Sequence, residues 1–159
     1  MSKANQAESR PGLRAGQASE LTIIAPLKVG GAERLRKKMS DTFGDPNQKL
    51  VDRIGTIHDM RYVIFDNETR LLFTSTFDDD WDAYINDFAA LIPDLIDIVF
   101  EEVEGYPGIR SADIKDYIVK SQVTSTYFYS AYPDASVRDI RKAMKIKRGL
   151  DVLLDAASS

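Results

Sequence analysis

The sequence predicts one α+β domain whose elements follow the order β-α-β-β-α-β, with a further helix at the end. The chain has 159 residues, of which 43% are hydrophobic and 29% charged, as in an ordinary globular domain. Two runs rich in β-branched and aromatic residues, 54–66 and 71–77, flank a short polar turn, which is typical of a hairpin. An apolar stripe at helical spacing then runs from Trp81 to Val99.

The first third of the chain is predicted to contain an arm, a strand and a helix. Residues 1–19 are polar and without a period, which predicts a flexible arm before a single domain over 20–159. Residues 21–27 form a short apolar run typical of a buried strand, with Pro26 at its edge. Leu35 and Met39 share one face of an amphipathic helix over 32–43.

The hairpin is the most strongly indicated part of the fold. Residues 67–70 provide its polar turn. Strict alternation along a strand puts neighbouring side chains on opposite faces. The alternation predicts two sets: His58, Met60, Tyr62 and Ile64 on one face, and Ile57, Asp59, Arg61, Val63 and Phe65 on the other.

The second half is predicted to be mainly helical. The aspartates at 78–80 favour the N-terminus of the long helix, which Pro93 should kink or split. The same aspartates could gather a cation, but their spacing lacks the pattern of a calcium loop. A short helix containing Ile114 and Ile118 follows, then a last strand over 125–132. Ser136 and Asp139 resemble a capping box that opens the terminal helix.

This order of elements resembles the ferredoxin-like folds of the dimeric α/β-barrel group, over roughly residues 21–133. The resemblance implies a βαββαβ sandwich with a four-stranded antiparallel sheet covered by helices on one face. In such folds the uncovered face commonly packs against a second subunit and encloses a pocket. A homo-oligomer is therefore expected, and a bare sheet face would be an apolar patch that needs cover.

Composition excludes several classes of chemistry. The chain has no cysteine, which removes disulfides, thiolate metal sites and cysteine nucleophiles. A formal net charge of −4 disfavours nucleic acid and anionic membranes as partners. No apolar run is long enough to span a bilayer and no secretion signal is visible, so a cytoplasmic location is expected. Phosphate loops and nucleophile elbows are also missing.

His58 is the only histidine and is the centre of the predicted ligand site. Its imidazole could act as a base or ligate haem iron, which makes haem the candidate cofactor. Met60 and Tyr62 on the same face suit a small planar or apolar ligand, and Tyr127 and Tyr129 of the last strand would complete the pocket. The alternative is structural, with His58 hydrogen-bonded at a sheet edge or in an oligomer contact and the tyrosines packed in a core or an interface.

Asp59 and Arg61 complete the candidate catalytic set with His58. They could form a buried ion pair, or Arg61 could bind a ligand carboxylate such as a haem propionate. Basic residues along the terminal helix indicate a solvated face, or alternatively a surface for phosphate or an acidic partner.

No residue pattern identifies a reaction, so two functions are carried forward. The first is an oligomeric small-molecule binder or enzyme with an aromatic pocket around His58, performing haem-linked redox or cofactor-free oxygenase chemistry. The second is a non-catalytic module for self-assembly or partner docking.

Overall fold

The computed structural model describes residues 12–42 and 51–158, and within them it has an α+β fold of four strands and five helices. The strands are Arg14–Ala15 (β1), Ala18–Pro26 (β2), Ile57–Phe65 (β3) and Arg70–Asp78 (β4). The helices are Gly31–Thr42 (α1), Trp81–Leu91 (α2), Pro93–Phe100 (α3), Ile114–Ser121 (α4) and Val137–Ala157 (α5). The predicted α+β class is confirmed.

The strands form one antiparallel sheet in the order β1-β2-β4-β3. One face of this sheet packs into the core. Leu21 and Ile23 in β2 and Leu71 and Phe73 in β4 are buried there with apolar residues of the helices. The alternate residues, for example Thr22, remain partly exposed. The sheet therefore has one covered and one open face, as its alternating pattern predicts.

The predicted hairpin is confirmed as β3 and β4. Its turn contains Asp66, Asn67 and Glu68, all with left-handed φ values between 51° and 67°. The register shifts between Ile57 and Asp59, which is the mark of a β-bulge at His58. Because of this extra residue, Ile57 packs against the core instead of sharing the open face with Asp59, so strict alternation is wrong at this end of the strand.

The predicted last strand over 125–132 is wrong. The chain touches the sheet only briefly here, through a bridge between Gln122 and Ile23 and a 2.9 Å bond from the Val123 N–H to the Thr22 carbonyl. Further along the same edge of β2, β1 pairs instead, with Arg14 opposite Ser19. The aromatic residues of 125–132 raise β-propensity, but that preference depends on a free edge and on packing partners.

The sheet begins earlier than the predicted domain start at residue 20. Residues 14–15 and 18–19 of the predicted arm belong to β1 and β2, while residues 1–11 lie outside the described part of the chain. The side chain of Glu20 in β2 is only 5% exposed and links β2 to two neighbouring segments of the chain. Its carboxylate accepts hydrogen bonds from the backbone N–H groups of Leu13 at 2.9 Å and Ser125 at 3.3 Å.

The helix boundaries follow the predicted signals. Asp80 caps α2 by accepting a 2.7 Å bond from the Asp82 N–H, which confirms the capping interpretation for Asp80, whereas Asp78 is the last residue of β4. Pro93 ends the long helix, so that α2 stops at Leu91 and α3 begins at Pro93. The capping box of Ser136 and Asp139 is also confirmed, and α5 begins directly after it.

Candidate functional site

The side chain of His58 is held by a buried carboxylate at the base of α5. His58 Nε2 lies 2.7 Å from Asp78 Oδ1, and the second oxygen of Asp78 accepts a 2.8 Å bond from the Val137 N–H. Asp78 is 4% exposed and Val137 6% exposed. The carboxylate thus joins the bulge of β3, the end of β4 and the first turn of α5. Because a carboxylate oxygen accepts hydrogen bonds, the ring nitrogen that donates in this contact is Nε2.

An open groove lies beside this contact. Its wall combines charged and apolar side chains from β3, from the residues that precede β3, and from α5: Asp52, Ile54, His58, Asp59, Met60 and Arg141. Arg141 crosses it from α5 to bond Asp52 Oδ1 at 3.1 Å. The groove thus presents both charged and apolar side chains.

The structure brings together three of the predicted site residues, His58, Asp59 and Met60, and places others elsewhere. The Tyr62 ring lies in the core, 5.0 Å from the Phe73 ring. Burial raises the pKa of Tyr62 well above its ordinary value because the phenolate would be desolvated.

The tyrosines of residues 125–132 follow the contact that the chain makes with the opposite edge of the sheet, at β2. Tyr127 is 78% and Tyr129 is 70% exposed, in the segment that follows the contact with β2. The groove is formed at β3, which is separated from β2 by β4. These two rings therefore do not line the groove of His58.

Asp59 and Arg61 do not form an ion pair within the described residues. Both are exposed, and Arg61 Nε donates a 2.9 Å bond to Thr74 Oγ1 across the open face of the sheet. Asp59 lines the groove and Arg61 does not. The two side chains therefore share the open face of the sheet without pairing there.

These positions do not fit haem. A haem group needs an axial ligand and two apolar walls, and the predicted walls at Tyr62, Tyr127 and Tyr129 do not converge on His58. The Nε2 atom of His58 is also engaged by Asp78. In the part of the chain that the structure describes, no group of three or more His, Asp or Glu side chains could hold a metal ion.

Helix α5 forms a second candidate surface. It has 21 residues and is therefore roughly 31 Å long. Val137 is its only buried residue, and every later residue from 138 to 157 is exposed. Its polar ties to the domain, at Val137 and Arg141, lie in the first turn and a half. The rest of the helix projects from the domain.

The exposed length of α5 carries an apolar stripe. Leu150 is 53%, Leu153 68% and Ile146 62% exposed. The first five residues of this α5 stripe recur every three or four positions, and Leu154 widens the same side of the helix: Ile140, Ala143, Ile146, Leu150, Leu153 and Leu154. Sequence reasoning recorded the basic residues of this helix and missed the stripe, although the 3–4 spacing was the signal that could have revealed it.

No family model, curated protein or solved structure matches the chain. Among the described residues, none of the helices has the length and apolar character needed to cross a membrane.

Proposed function

We propose that this chain is a non-catalytic self-assembly module that docks through the α5 stripe. The observation that carries the proposal is a 21-residue helix with a single buried residue and an apolar stripe along its exposed length. An isolated amphipathic helix gains most of its stability from packing its apolar face, so a helix without cover indicates a missing partner.

The size of the stripe supports this function. Four large side chains, Ile146, Leu150, Leu153 and Leu154, are between 53% and 68% exposed. Complete burial of such a side chain contributes about 1.5–3 kcal/mol, so covering the exposed halves of all four contributes about 4 kcal/mol. With a similar contribution from the partner, the free energy gained by burying both surfaces reaches the lower part of the range of about 4–15 kcal/mol that association costs. The stripe is therefore suited to reversible docking.

Two features of the sheet, one at the edge of β2 and one on the open face, belong to the same proposal. The contact of Gln122 and Val123 with β2 lies where the last strand of a ferredoxin-like sheet would run, and it supports that arrangement. The open face of the sheet carries Ile24, Leu72 and Val63 in one row across three strands. This row is a further apolar surface that a subunit of an oligomer would cover.

Matched substitutions on α5 test the proposal. Leu150→Lys places a charge in the α5 stripe, whereas Val152→Lys places the same charge about 200° away around the helix. Both positions are exposed, at 53% and 68%, so neither change should disturb the domain. Light scattering after size exclusion should show that the wild type and Val152→Lys associate and that Leu150→Lys does not. Equal masses for all three proteins would contradict the proposal.

A second candidate function is the binding of a small apolar molecule in the groove of His58. The observation in its favour is that His58 and Met60 lie in one groove, with the imidazole orientation fixed by Asp78. The dye 1-anilinonaphthalene-8-sulfonate is a suitable probe because its emission rises in apolar sites. Emission that Met60→Gln removes and Leu150→Lys retains supports this function, and the reverse result opposes it.

A further inference from the structure

We infer that the α5 stripe binds the α5 stripe of a second copy of this chain, with the two helices antiparallel. The inference rests on the proposed function and adds which surface of the second copy the stripe contacts and how the two helices are oriented. Three observations carry it: the direction in which the stripe faces, the distribution of charge along α5, and the spacing of the residues in the stripe.

The stripe faces away from its own domain. Val137 and Arg141, four residues apart, lie on one side of α5 and contact the domain, Val137 by burial and Arg141 through Asp52. Ala143 lies about 160° around the helix from Arg141, since two residues advance by about 200°. A second helix can therefore approach the stripe without meeting the domain that holds α5.

The charge on α5 is divided between its two halves. Residues 138–148 contain six basic side chains and one acidic side chain, a net charge of +5. Residues 149–157 contain two aspartates, Asp151 and Asp155, and no basic side chain, a net charge of −2. Parallel helices would place the two basic halves, each of net charge +5, beside each other. Antiparallel helices place each basic half beside an acidic half. Antiparallel pairing also opposes the two helix dipoles favourably.

The spacing of the stripe fits an antiparallel seam. Ala143, Ile146, Leu150 and Leu153 follow one another at intervals of three, four and three residues, the pattern of alternating a and d positions. In an antiparallel pair an a position faces a d position. Ala143 then faces Leu153 of the second copy, and Ile146 faces Leu150. In each of the two outer layers, Ala143 of one copy packs against Leu153 of the other, a small side chain against a large one. This pairing permits the two helices to approach closely.

The two-fold symmetry of such a pair also closes the assembly. Each helix uses the same stripe that it offers, so no second stripe remains for a third copy. The two domains lie at opposite ends of the helix pair, because each α5 is held at its N-terminal end. The expected product is a closed dimer.

Cysteine cross-linking in the full-length chain tests the orientation, because the natural chain contains no cysteine. Ala143→Cys and Leu153→Cys are prepared separately and oxidised alone and as an equilibrated 1:1 mixture. The antiparallel seam brings position 143 of one copy within disulfide range of position 153 of the other. The mixture should therefore form a cross-linked dimer at least about fivefold faster than either variant alone. Ile146→Cys mixed with Leu150→Cys is a second pair, and Lys145→Cys, on the opposite side of the helix, gives the background rate.

The outcomes separate this inference from the proposed function. Rapid cross-linking of each variant with itself, and no gain on mixing, would show parallel helices and overturn the inference while assembly through α5 stands. A second result would also overturn the inference: both mixtures cross-link at the background rate, although the wild type is dimeric and Leu150→Lys dissociates it. The stripe would then contact a different surface. A wild type that is monomeric at every concentration would overturn the proposed function itself.

Discussion

Removal of the Asp78 carboxylate should be the most damaging single substitution at the base of α5. Asp78 accepts from His58 Nε2 at 2.7 Å and from the Val137 N–H at 2.8 Å, and its side chain is almost completely buried. Asp78→Ala removes both acceptors at once. The Val137 N–H then stays buried without a partner, whereas His58, with 18% of its side chain exposed, can bond to water in part.

The two losses differ in size. A buried donor left without a partner costs about 1–3 kcal/mol, and a lost hydrogen bond to a charged acceptor costs about 1.5–3 kcal/mol when neither group is rehydrated. Because His58 is partly rehydrated, its contribution falls near 1 kcal/mol, and the total expected loss in the free energy of unfolding is about 3 kcal/mol. For a domain of this length, that loss lowers Tm by about 6–12 °C.

Urea unfolding followed by circular dichroism measures this loss, with Asp134→Ala as the control. Asp134 is an exposed aspartate in the segment that leads to α5, so its removal should change stability by less than about 0.5 kcal/mol. His58→Ala and the double variant complete a cycle, in which the shared bond should make the double loss about 1 kcal/mol smaller than the sum. An Asp78→Ala protein as stable as Asp134→Ala would refute the role of this carboxylate.

Two further substitutions test the loss of stability at low pH and the turn between β1 and β2. The hydrogen bond from Arg34 lowers the pKa of Glu102 below 4.5, so its stabilisation is present above that pH and is lost as the pH falls through the folded-state pKa. Glu102→Gln should therefore lose less stability than the wild type between pH 6 and pH 3, while the exposed control Glu104→Gln should follow the wild type. Gly16 has φ +63° and a Cβ there would lie 2.2 Å from a backbone carbonyl, so Gly16→Ala should cost more than about 1 kcal/mol in thermal unfolding. Gly55→Ala meets nothing within 4 Å and should be nearly neutral; equal losses for both glycines would count against this account of the turn.

Local signals predicted most elements of this fold because each signal acts over a few residues. The Ser136 capping box, the Asp80 cap and the break at Pro93 all depend on backbone groups within one turn of a helix. The β3–β4 hairpin depends on alternation and a short turn. Such features need no knowledge of distant residues.

The last strand failed because its formation depends on a distant edge. Residues 125–132 have high β-propensity, but the edge of β2 that they would need is shared by Gln122 and by β1, which the sequence assigned to a flexible arm. The bulge at His58 was hidden for a similar reason. The bulge is defined by the pairing of Ile57 with Phe77 across the hairpin, which no local pattern reveals.

The candidate site shows the same difference between local signals and contacts with distant residues. Sequence reasoning selected His58 because it is the only histidine, and it could not foresee that Asp78, 20 residues away, would bind it. Tyr127 and Tyr129 were assigned to the pocket through the strand that does not form. The α5 stripe was present in the sequence, but only the structure shows that the domain leaves it exposed.

The mass of the full chain in solution tests the central claim most directly. Sedimentation equilibrium from about 1 to 100 µM, the range suited to modest apolar interfaces, should show a reversible shift from the monomer of 17.8 kDa to twice that mass. Leu150→Lys should remain at 17.8 kDa over the same range, and Val152→Lys should follow the wild type. A wild type that stays at the monomer mass at every concentration would contradict assembly through α5.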